Sequence, residues 1–316
     1  MREPAACTRS GGSPLSSVTG EGLVTSVHNQ FVVVRMGGEE RESTIAGRLR
    51  RARPVVGDHV EVRELPDRSV RVEAVLPRRG ILLRGAFRNE EKIVASNVDV
   101  LVIVAAVADP PLRIGLIDRY LVAAWRGGIE AMIALTKVDL PYDVAEIARV
   151  REIYGALGHR VIALSLRTGE GLDGLRAALP DRVAVLAGHS GVGKTSLTNA
   201  LTGRTDATGA LNPVSDRGRH TTTGAQYMDL PGGGALIDTA GIRSFGIAGV
   251  AAHDLEQAFP EIAAAAEECE WEGCLHGEGE EGCAVTSAAN VAPERLASYR
   301  KLLGELEELE AERADS

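Results

Sequence analysis

Residues 188–195 read Gly-His-Ser-Gly-Val-Gly-Lys-Thr, which is the spacing of a phosphate-binding loop. A glycine-rich turn between a strand and a helix exposes backbone N–H groups at the positive end of the helix dipole, where an anion binds. In this pattern Lys194 reaches the β- and γ-phosphates of a nucleotide, and the Thr195 hydroxyl binds Mg²⁺. We therefore predict that the phosphates lie against Gly188, His189, Ser190, Gly191, Val192, Gly193, Lys194, Thr195 and Ser196.

A second motif, Asp238-Thr239-Ala240-Gly241, follows the phosphate loop in the chain. In phosphate-loop enzymes an aspartate after a second strand helps to hold Mg²⁺. We expect Asp238 to bind the ion through a water molecule and the Gly241 N–H to contact the γ-phosphate. The motif thus has the residues of a magnesium and γ-phosphate sensor.

Thr136-Lys137-Val138-Asp139 has the residue types of a guanine-recognition motif. The Asp139 carboxylate can accept hydrogen bonds from N1–H and the 2-amino group of guanine, whereas adenine offers no such pair of donors. A buried polar group left unpaired by the wrong ligand discriminates by on the order of 10⁴-fold. We expect Lys137 to cover the base with its aliphatic stem. Asparagine is usual where Thr136 stands, and losing one amide contact is expected to cost about 0.5–1.5 kcal/mol of affinity.

Ser165-Leu166 resembles the Ser-Ala motif that offers a backbone N–H to guanine O6, and leucine can make this contact as well as alanine. Both base-recognition motifs precede the phosphate loop, whereas in ordinary GTPases they come last. A site depends on the arrangement of its groups in space and not on their order in the chain. The sequence therefore predicts a circularly permuted guanine-nucleotide domain.

A polar segment, 204–224, separates the phosphate loop from the Asp238 motif. A loop of this length inside a compact domain is usually functional, although an ordinary surface insertion is the simpler alternative. We expect Thr222 or Thr223 to complete the Mg²⁺ shell when GTP is bound and the loop to be released after hydrolysis.

The residue after Gly241 is Ile242, where Ras-like enzymes carry the glutamine that orients the attacking water. An apolar side chain cannot do this, so unassisted hydrolysis is expected at on the order of 10⁻⁴ to 10⁻² s⁻¹. His220 is the candidate catalytic residue, although a lone histidine is often structural.

Three cysteines and a histidine form the pattern Cys269-x4-Cys274-x-His276-x6-Cys283. Three thiolates and an imidazole suit a tetrahedral structural Zn²⁺ with no open position for catalysis. The alternative is a set of unrelated free thiols. Because the chain has only 4 cysteines and three lie here, we predict a zinc site.

Length and composition indicate how many domains the chain has and in which compartment it works. A length of 316 residues suggests two or three domains. No apolar run approaches membrane-spanning length, residues 1–20 lack the apolar stretch of a secretory signal, and cysteines are few. We therefore expect a cytoplasmic protein with no membrane partner. We also expect a monomer.

The formal charge of -9 argues against attraction of the whole surface to nucleic acid. Residues 41–92 nevertheless carry thirteen Lys and Arg against eight Asp and Glu, with a group at Arg48, Arg50, Arg51 and Arg53. This group is either a solvated rim or a site of RNA contact through arginine and phosphate.

Patterning predicts a multidomain protein. Short alternating segments favour a small barrel, either an oligonucleotide-binding (OB) fold or an SH3-like barrel. Apolar segments that alternate with helical ones then favour a parallel α/β sheet. The predicted units are a disordered tail (1–20), the OB-like barrel (21–78), a linker (79–94), the α/β nucleotide domain (95–248) and a mostly helical metal-binding domain (249–316).

Five apolar segments are predicted to be strands of the α/β domain: 98–107, 129–135, 160–164, 183–187 and 235–237. Four of these segments are followed directly by a motif described above. Ligands bind at the carboxyl ends of the strands in sheets of this kind. The placement of the motifs therefore supports one shared nucleotide site.

The chain resembles the bacterial ribosome small-subunit-dependent GTPase A family over roughly residues 21–300. The resemblance rests on the permuted motif order, the phosphate loop, and segments 218–223, 241–246 and 269–285. It implies an OB barrel, a GTPase domain and a zinc domain that together assist late maturation of the 30S subunit. It further implies binding of GTP, GDP and 16S rRNA, GTPase stimulation by the 30S particle, and a catalytic role for His220. Thr136, Leu166, Ala240 and the acidic zinc segment depart from the family pattern.

Two other functions remain open at this point. One is a GTP-dependent RNA-binding scaffold with negligible catalysis, which Ile242 suggests. The other is a small-molecule kinase or an ATPase built on the same phosphate loop. If the chain is a switch, small γ-phosphate-dependent shifts after Gly241 are expected to rotate the zinc domain relative to the barrel.

Overall fold

The fold is described from a computed structural model of the chain. The described residues are 19–84, 92–204, 225–239, 247 and 249–314. Most of the predicted tail lies outside these ranges, as do Gly241, Ile242 and most of the 204–224 loop with His220, Thr222 and Thr223.

Thirteen strands occur within the described residues. They are β1 (Thr19–Val27), β2 (Val32–Met36), β3 (Glu39–Ile45), β4 (His59–Glu64), β5 (Val70–Val75), β6 (Leu82–Arg84), β7 (Lys92–Ala95), β8 (Val100–Ala106), β9 (Glu130–Thr136), β10 (Arg160–Ala163), β11 (Val183–Ala187), β12 (Gln226–Asp229) and β13 (Ala235–Asp238).

The α-helices of the same ranges are α1 (Ile114–Gly127), α2 (Val144–Ala156), α3 (Leu172–Arg176), α4 (Lys194–Thr202), α5 (Pro260–Ala266) and α6 (Pro293–Ala314). Short 3-10 helices cover Gly47–Leu49, Ala252–Ala258 and Ala284–Ser287. Among these helices, none combines the length and the apolar composition that a bilayer crossing requires.

The first five strands form a closed barrel. They pair in the order β1-β2-β3-β5-β4, and β4 returns to pair with β1. The β3–β5 pair is parallel, and the other pairs of the barrel are antiparallel. This is the five-stranded connectivity of an OB fold, so the SH3-like alternative is wrong. The buried apolar side chains at the centre of the barrel are all valines: Val24, Val32, Val34, Val60, Val62, Val70 and Val72.

The segment predicted as a linker contains regular structure. β6 and β7 form an antiparallel ribbon, and an isolated bridge joins Val56 of the barrel to Ala95 at the end of β7. The strand β1 also begins at Thr19, within the segment predicted as a tail. The sequence did not reveal this ribbon because β6 has only 3 residues and β7 only 4, which is too short for an alternating pattern.

The central sheet has the order β10-β9-β8-β11-β13-β12. All of these strands are parallel except β12, which runs antiparallel to β13. The strand β8 is almost wholly buried because helices cover both faces of the sheet, as its unbroken apolar run predicted. The predicted fold class, a barrel followed by an α/β domain and a mostly helical domain, is confirmed.

A buried polar joint connects the barrel to the central domain. The Asp58 carboxylate, which is fully buried, accepts from Arg78 Nε and Nη2 at 2.7 Å each and from Ser96 Oγ at 2.6 Å. Asn97 Nδ2 donates to the Gly57 carbonyl at 2.7 Å. Because a buried carboxylate with its partners satisfied tolerates little displacement, this joint fixes the orientation of the barrel.

A second buried network attaches the C-terminal helices to the central domain. Arg295 of α6 is 1% exposed, and it donates to Asp118 Oδ1 of α1 at 2.6 Å and to Glu261 Oε1 of α5 at 2.6 Å. Its guanidinium also lies 4.2 Å from the ring centroid of Phe259. Tyr154 of α2 donates to the same Asp118 oxygen at 2.6 Å. This buried network therefore joins α1 and α2 of the central domain to α5 and α6 of the C-terminal domain.

We expect Arg295→Met to lower the free energy of unfolding by about 3–5 kcal/mol, because Asp118 and Glu261 would remain buried without their cation. Urea denaturation measures this change. Arg149→Met is the matched control, since Arg149 also joins α2 to α6, through Glu294, but both side chains are about one-third exposed. Its expected cost is below about 1 kcal/mol. Equal costs for the two variants would contradict the structural role of the buried cluster.

Candidate nucleotide and metal sites

The predicted nucleotide motifs meet at one edge of the central sheet. Thr136 is the last residue of β9, and Asp238 is the last residue of β13. Ser165 follows β10 by two residues, and Gly188 follows β11 directly. Because β9, β10, β11 and β13 are parallel, their carboxyl ends lie along the same edge.

A hydrogen bond joins the base motif to the phosphate loop. Thr136 is 1% exposed, and its hydroxyl donates to the Val192 carbonyl at 2.7 Å. The same hydroxyl lies 3.3 Å from the Ala105 carbonyl at the neighbouring end of β8. Sequence reasoning treated Thr136 as a weakened base contact, whereas its side chain here positions the phosphate loop.

Leu166 packs near the same loop. A Cβ placed on Gly193 would lie 3.9 Å from Leu166 Cδ1. The two stretches of chain that carry base recognition therefore both approach the phosphate loop closely. Tyr120 of α1 approaches it as well, through a hydrogen bond with the Gly188 backbone, and burial raises the pKa of the Tyr120 hydroxyl.

The phosphate loop has the backbone that its glycines predict. Gly191 and Gly193 have φ angles of 83° and 96°, which glycine adopts without strain. A Cβ at Gly188 would lie 2.2 Å from the Val104 carbonyl oxygen, so no larger residue fits at that position. The loop leads into the amino end of α4, where backbone N–H groups face a bound anion.

Lys194 folds back over the loop. Its Nζ donates to the carbonyls of Gly188 and His189 at 2.7 Å each, and burial lowers the pKa of the ammonium group. His189 has its Nδ1 3.0 Å from the Ser190 carbonyl and is exposed. The ammonium group of Lys194 therefore lies against the backbone of the loop that the pattern assigns to phosphate binding. Ser190, Thr195 and Ser196 lie in the same loop and the first turn of α4.

The Asp139 carboxylate is held from two sides. Ser165 is fully buried, and its hydroxyl donates to Asp139 Oδ1 at 2.5 Å. Arg167 Nε donates to Asp139 Oδ2 at 2.7 Å. These two hydrogen bonds, that of Ser165 first, lower the pKa of Asp139, so this carboxyl is ionised and accepts hydrogen bonds at neutral pH. Lys137, with φ of 64°, donates from its Nζ to the Asp109 carbonyl.

Arg167 presents to Asp139 the kind of donor that guanine would present. A guanidinium and the N1–H and 2-amino edge of guanine both carry N–H donors on one planar carbon–nitrogen frame. Arg167 is 72% exposed on its side chain, whereas Asp139 is 10% exposed. Sequence reasoning did not assign a role to Arg167, although it directly follows the Ser165-Leu166 motif.

A group of four potential metal ligands lies in the C-terminal domain. The ligand atoms of Cys269, Cys274, His276 and Cys283 all lie within 4.8 Å of one another. His276 Nδ1 is 3.7, 3.3 and 3.5 Å from the three sulfur atoms in chain order. Tetrahedral zinc with Zn–S of about 2.3 Å and Zn–N of about 2.0 Å places sulfur and nitrogen roughly 3.5 Å apart. The donor set therefore fits a bound metal ion.

Neighbouring groups orient the histidine. His276 is 1% exposed, and its Nε2 lies 3.0 Å from Glu256 Oε2, which leaves Nδ1 for the metal. Arg300 of α6 donates to the carbonyls of His276 and Gly277 at 2.7 and 3.0 Å. The loop is thus fixed to two helical segments independently of the ligands themselves.

Of the remaining predicted site residues, one lies within the described part of the chain and the others do not. Asp238 lies at the edge of the sheet beside the phosphate loop strand, as its motif predicts. His220, Thr222, Thr223 and Gly241 lie outside the described residues, so the structure does not test their assignments.

The fold and the site define a class of protein. In the parallel sheet, the phosphate loop follows β11, and the Lys-x-Asp motif follows β9, which comes earlier in the chain. This arrangement defines a GTP-binding domain in circularly permuted order. The profile of the RsgA GTPase family matches residues 75–248. The chain belongs to this family, and it is therefore a GTP hydrolase of the circularly permuted class.

Relatives and solved structures agree with this assignment. The small ribosomal subunit biogenesis GTPase RsgA of Azotobacter vinelandii is 41% identical over 262 residues, which are 81% of this chain and 76% of that protein. The protein of the same name from Pseudomonas aeruginosa is 41% identical over 260 residues, 80% of this chain and 76% of that protein. The crystal structure of YjeQ from Thermotoga maritima has a TM-score of 0.73 at 30% identity, over 92% of this chain and 99% of that one. YloQ, a circularly permuted GTPase, has a TM-score of 0.71 at 25% identity, over 94% of this chain and 98% of that one.

We expect Thr136→Val to weaken GDP binding by roughly fivefold to fiftyfold, because the buried Val192 carbonyl loses its donor and the phosphate loop is no longer held. Isothermal titration with GDP measures the change. Thr136→Ser keeps the hydroxyl and is expected to bind GDP within about twofold of the parent. Wild-type affinity in the valine variant would remove the positioning role of Thr136.

We expect Arg167→Ala to tighten GDP binding by roughly twofold to fivefold, because an exposed ion pair that competes with the base is worth about 0.2–1 kcal/mol. Stopped-flow measurements with a fluorescent GDP analogue are expected to show faster association. Arg151→Ala, which removes an exposed arginine of α2, is the control and should leave both quantities unchanged. Weaker GDP binding by Arg167→Ala would instead place the arginine among the groups that hold the bound base.

Proposed function

We propose that this protein binds and hydrolyses GTP during late maturation of the 30S ribosomal subunit. Membership of the RsgA GTPase family and the names of its curated relatives support this proposal. The observation that carries its GTP-binding part is the hydrogen bond between Thr136 and Val192, since it joins the guanine motif and the phosphate loop into one site.

Within this proposal, the residues of the site divide between base and phosphates. Asp139 reads guanine, Lys137 covers the base, and Ser165 orients the carboxylate while the Leu166 backbone N–H reaches guanine O6. The loop 188–196 holds the phosphates, with Lys194 as the cation.

A magnesium ion belongs to the proposed site. Thr195 supplies a hydroxyl at the start of α4, and Asp238 supplies a carboxylate at the end of the adjacent strand β13. When bound, Mg²⁺ neutralises charge on the β- and γ-phosphates. We assign Thr222, Thr223 and Gly241 to the γ-phosphate side of the site and His220 to catalysis, on the family resemblance alone.

Zinc is the metal that we assign to the cluster of Cys269, Cys274, His276 and Cys283. A set of three sulfur ligands and one imidazole favours zinc among the common structural metals, and its geometry is tetrahedral. When bound, Zn²⁺ would supply a structural cross-link. The chain's own contribution is to hold the four ligands in place through Glu256 and Arg300.

The barrel is the proposed contact with 16S rRNA. Arg50 and Arg51 are exposed, and within the described residues neither has an ion-pair partner, whereas Arg48 pairs with Glu73 and Arg53 binds backbone carbonyls. Phosphate contacts of this kind position a protein on RNA. We further propose that the chain acts as a cytoplasmic monomer that cycles between GTP and GDP forms.

Single-turnover GTP hydrolysis tests this function. We expect a rate on the order of 10⁻⁴ to 10⁻² s⁻¹ for the isolated protein, because Ile242 cannot orient water, and at least a tenfold increase with purified 30S particles. Purified 50S particles are the control and should give no increase.

The same assay separates the remaining alternatives. A rate that 30S particles leave unchanged, despite GTP-dependent co-sedimentation with them, would indicate a scaffold rather than a stimulated enzyme. Absence of both stimulation and co-sedimentation would remove the 30S subunit as partner. Equal binding of ATP and GTP would remove guanine recognition by Asp139.

A further inference from the structure

The loop that carries the potential metal ligands also presents two apolar side chains to solvent. Trp271 is 65% exposed and Leu275 is 39% exposed. Trp271 lies between Cys269 and Cys274 in the chain, so a metal ion bound by the four ligands would fix the backbone on both sides of it. An exposed tryptophan on a fixed loop is a preorganised contact, because little side-chain entropy remains to be lost on binding.

A groove runs beside Trp271 along the surface of α5. Its apolar part consists of Trp271 with Pro260, Ala263 and Ala264, and exposed Glu267 and Glu272 lie at its rim. The groove borders the metal site, because Cys269, Cys274 and His276 also line it. We call this the Trp271 groove. Within the described residues, neither rim carboxylate has an ion-pair partner. A face of tryptophan with nearby carboxylates suits a guanidinium or ammonium group, through cation–π contact and charge pairing.

The charge of the surrounding domain also favours a cationic ligand. Residues 249–316 contain seventeen Asp and Glu against four Lys and Arg, whereas residues 1–248 contain 31 Lys and Arg against 27 Asp and Glu. The net negative charge of the chain therefore comes from the C-terminal domain, because cationic residues outnumber acidic ones in the rest of the sequence. Nucleic-acid binding depends on cationic contacts with phosphate, and this surface would repel the phosphate backbone.

We propose that the Trp271 groove binds a Lys- and Arg-rich polypeptide segment of a small-subunit protein. The apolar floor takes the aliphatic stems of the basic side chains, the indole face takes a cationic head, and the rim carboxylates pair with its neighbours. The proposal rests on the proposed function for its choice of partner. Its chemistry rests on the groove and on the charge of the C-terminal domain.

The first experiment places a photo-crosslinking group in the groove. The full chain with Trp271→p-benzoylphenylalanine, which keeps a large aromatic side chain, is mixed with purified 30S particles and a non-hydrolysable GTP analogue and then irradiated. We expect cross-links to Lys- and Arg-rich protein segments, identified by mass spectrometry. Cross-links mainly to rRNA, or none from chains that co-sediment with 30S particles, would overturn the proposal.

The second experiment does not need the ribosome, so it distinguishes failure of the groove from failure of the proposed function. Trp125→Phe leaves Trp271 as the only tryptophan, since the chain has 2. Titration with a synthetic Lys- and Arg-rich peptide is expected to change the Trp271 emission saturably, whereas single-stranded RNA of equal length is expected to leave it unchanged. A response to RNA, or none to the peptide, would overturn the proposal.

A matched pair of charge reversals separates the groove from general electrostatics. Glu267→Lys with Glu272→Lys is expected to weaken peptide binding at least tenfold. Glu307→Lys with Glu308→Lys makes the same change of net charge on the exposed surface of α6, and it is expected to weaken binding less than threefold. Equal weakening by the two pairs would mean that the peptide responds to net charge and not to the groove.

Discussion

The Val192 carbonyl oxygen accepts the hydrogen bond on which the nucleotide site depends. Its donor is the hydroxyl of Thr136, the last residue of β9. Thr136 precedes Val192 by 56 residues in the chain, but the ends of β9 and β11 lie close together in the sheet. Parallel strands bring their carboxyl ends to one edge whatever the chain order. Circular permutation therefore changes which segments connect the domain to its neighbours and leaves the site intact.

The contacts between the central domain and its two neighbours determine which parts of the molecule can move. The buried network around Arg295 fixes the C-terminal helices to α1 and α2, and the buried network around Asp58 fixes the barrel to the central domain. A rotation of the metal domain relative to the barrel would have to break one of these buried networks, at a cost of several kcal/mol. A nucleotide-dependent change is therefore easier to accommodate in the loops at the edge of the sheet, and β12, which pairs with β1 of the barrel, connects that edge to the barrel directly.

The sequence predicted the parts of the fold that local patterning controls. The strand predicted at 183–187 coincides with β11, and the one at 98–107 contains β8, because strands buried on both faces are continuously apolar. Patterning did not reveal partners distant in the chain. Nothing near Arg295 indicates that its carboxylate partner is Asp118, and nothing near Thr136 indicates that its hydroxyl faces a backbone carbonyl rather than a base. Barrel closure through the parallel β3–β5 pair was equally invisible, since register is a property of the assembled sheet.

The distribution of charge gives the two ends of this molecule different chemistry. The buried clusters hold the barrel and the C-terminal domain in fixed orientations, so exposed arginines on the one and exposed carboxylates on the other keep a constant separation. A particle made of RNA and basic protein presents both signs of charge. A rigid molecule with opposite charges at fixed positions docks on such a surface in few orientations. Any other orientation would bring like charges together. Rigidity outside the nucleotide loops therefore contributes to specificity as well as to stability.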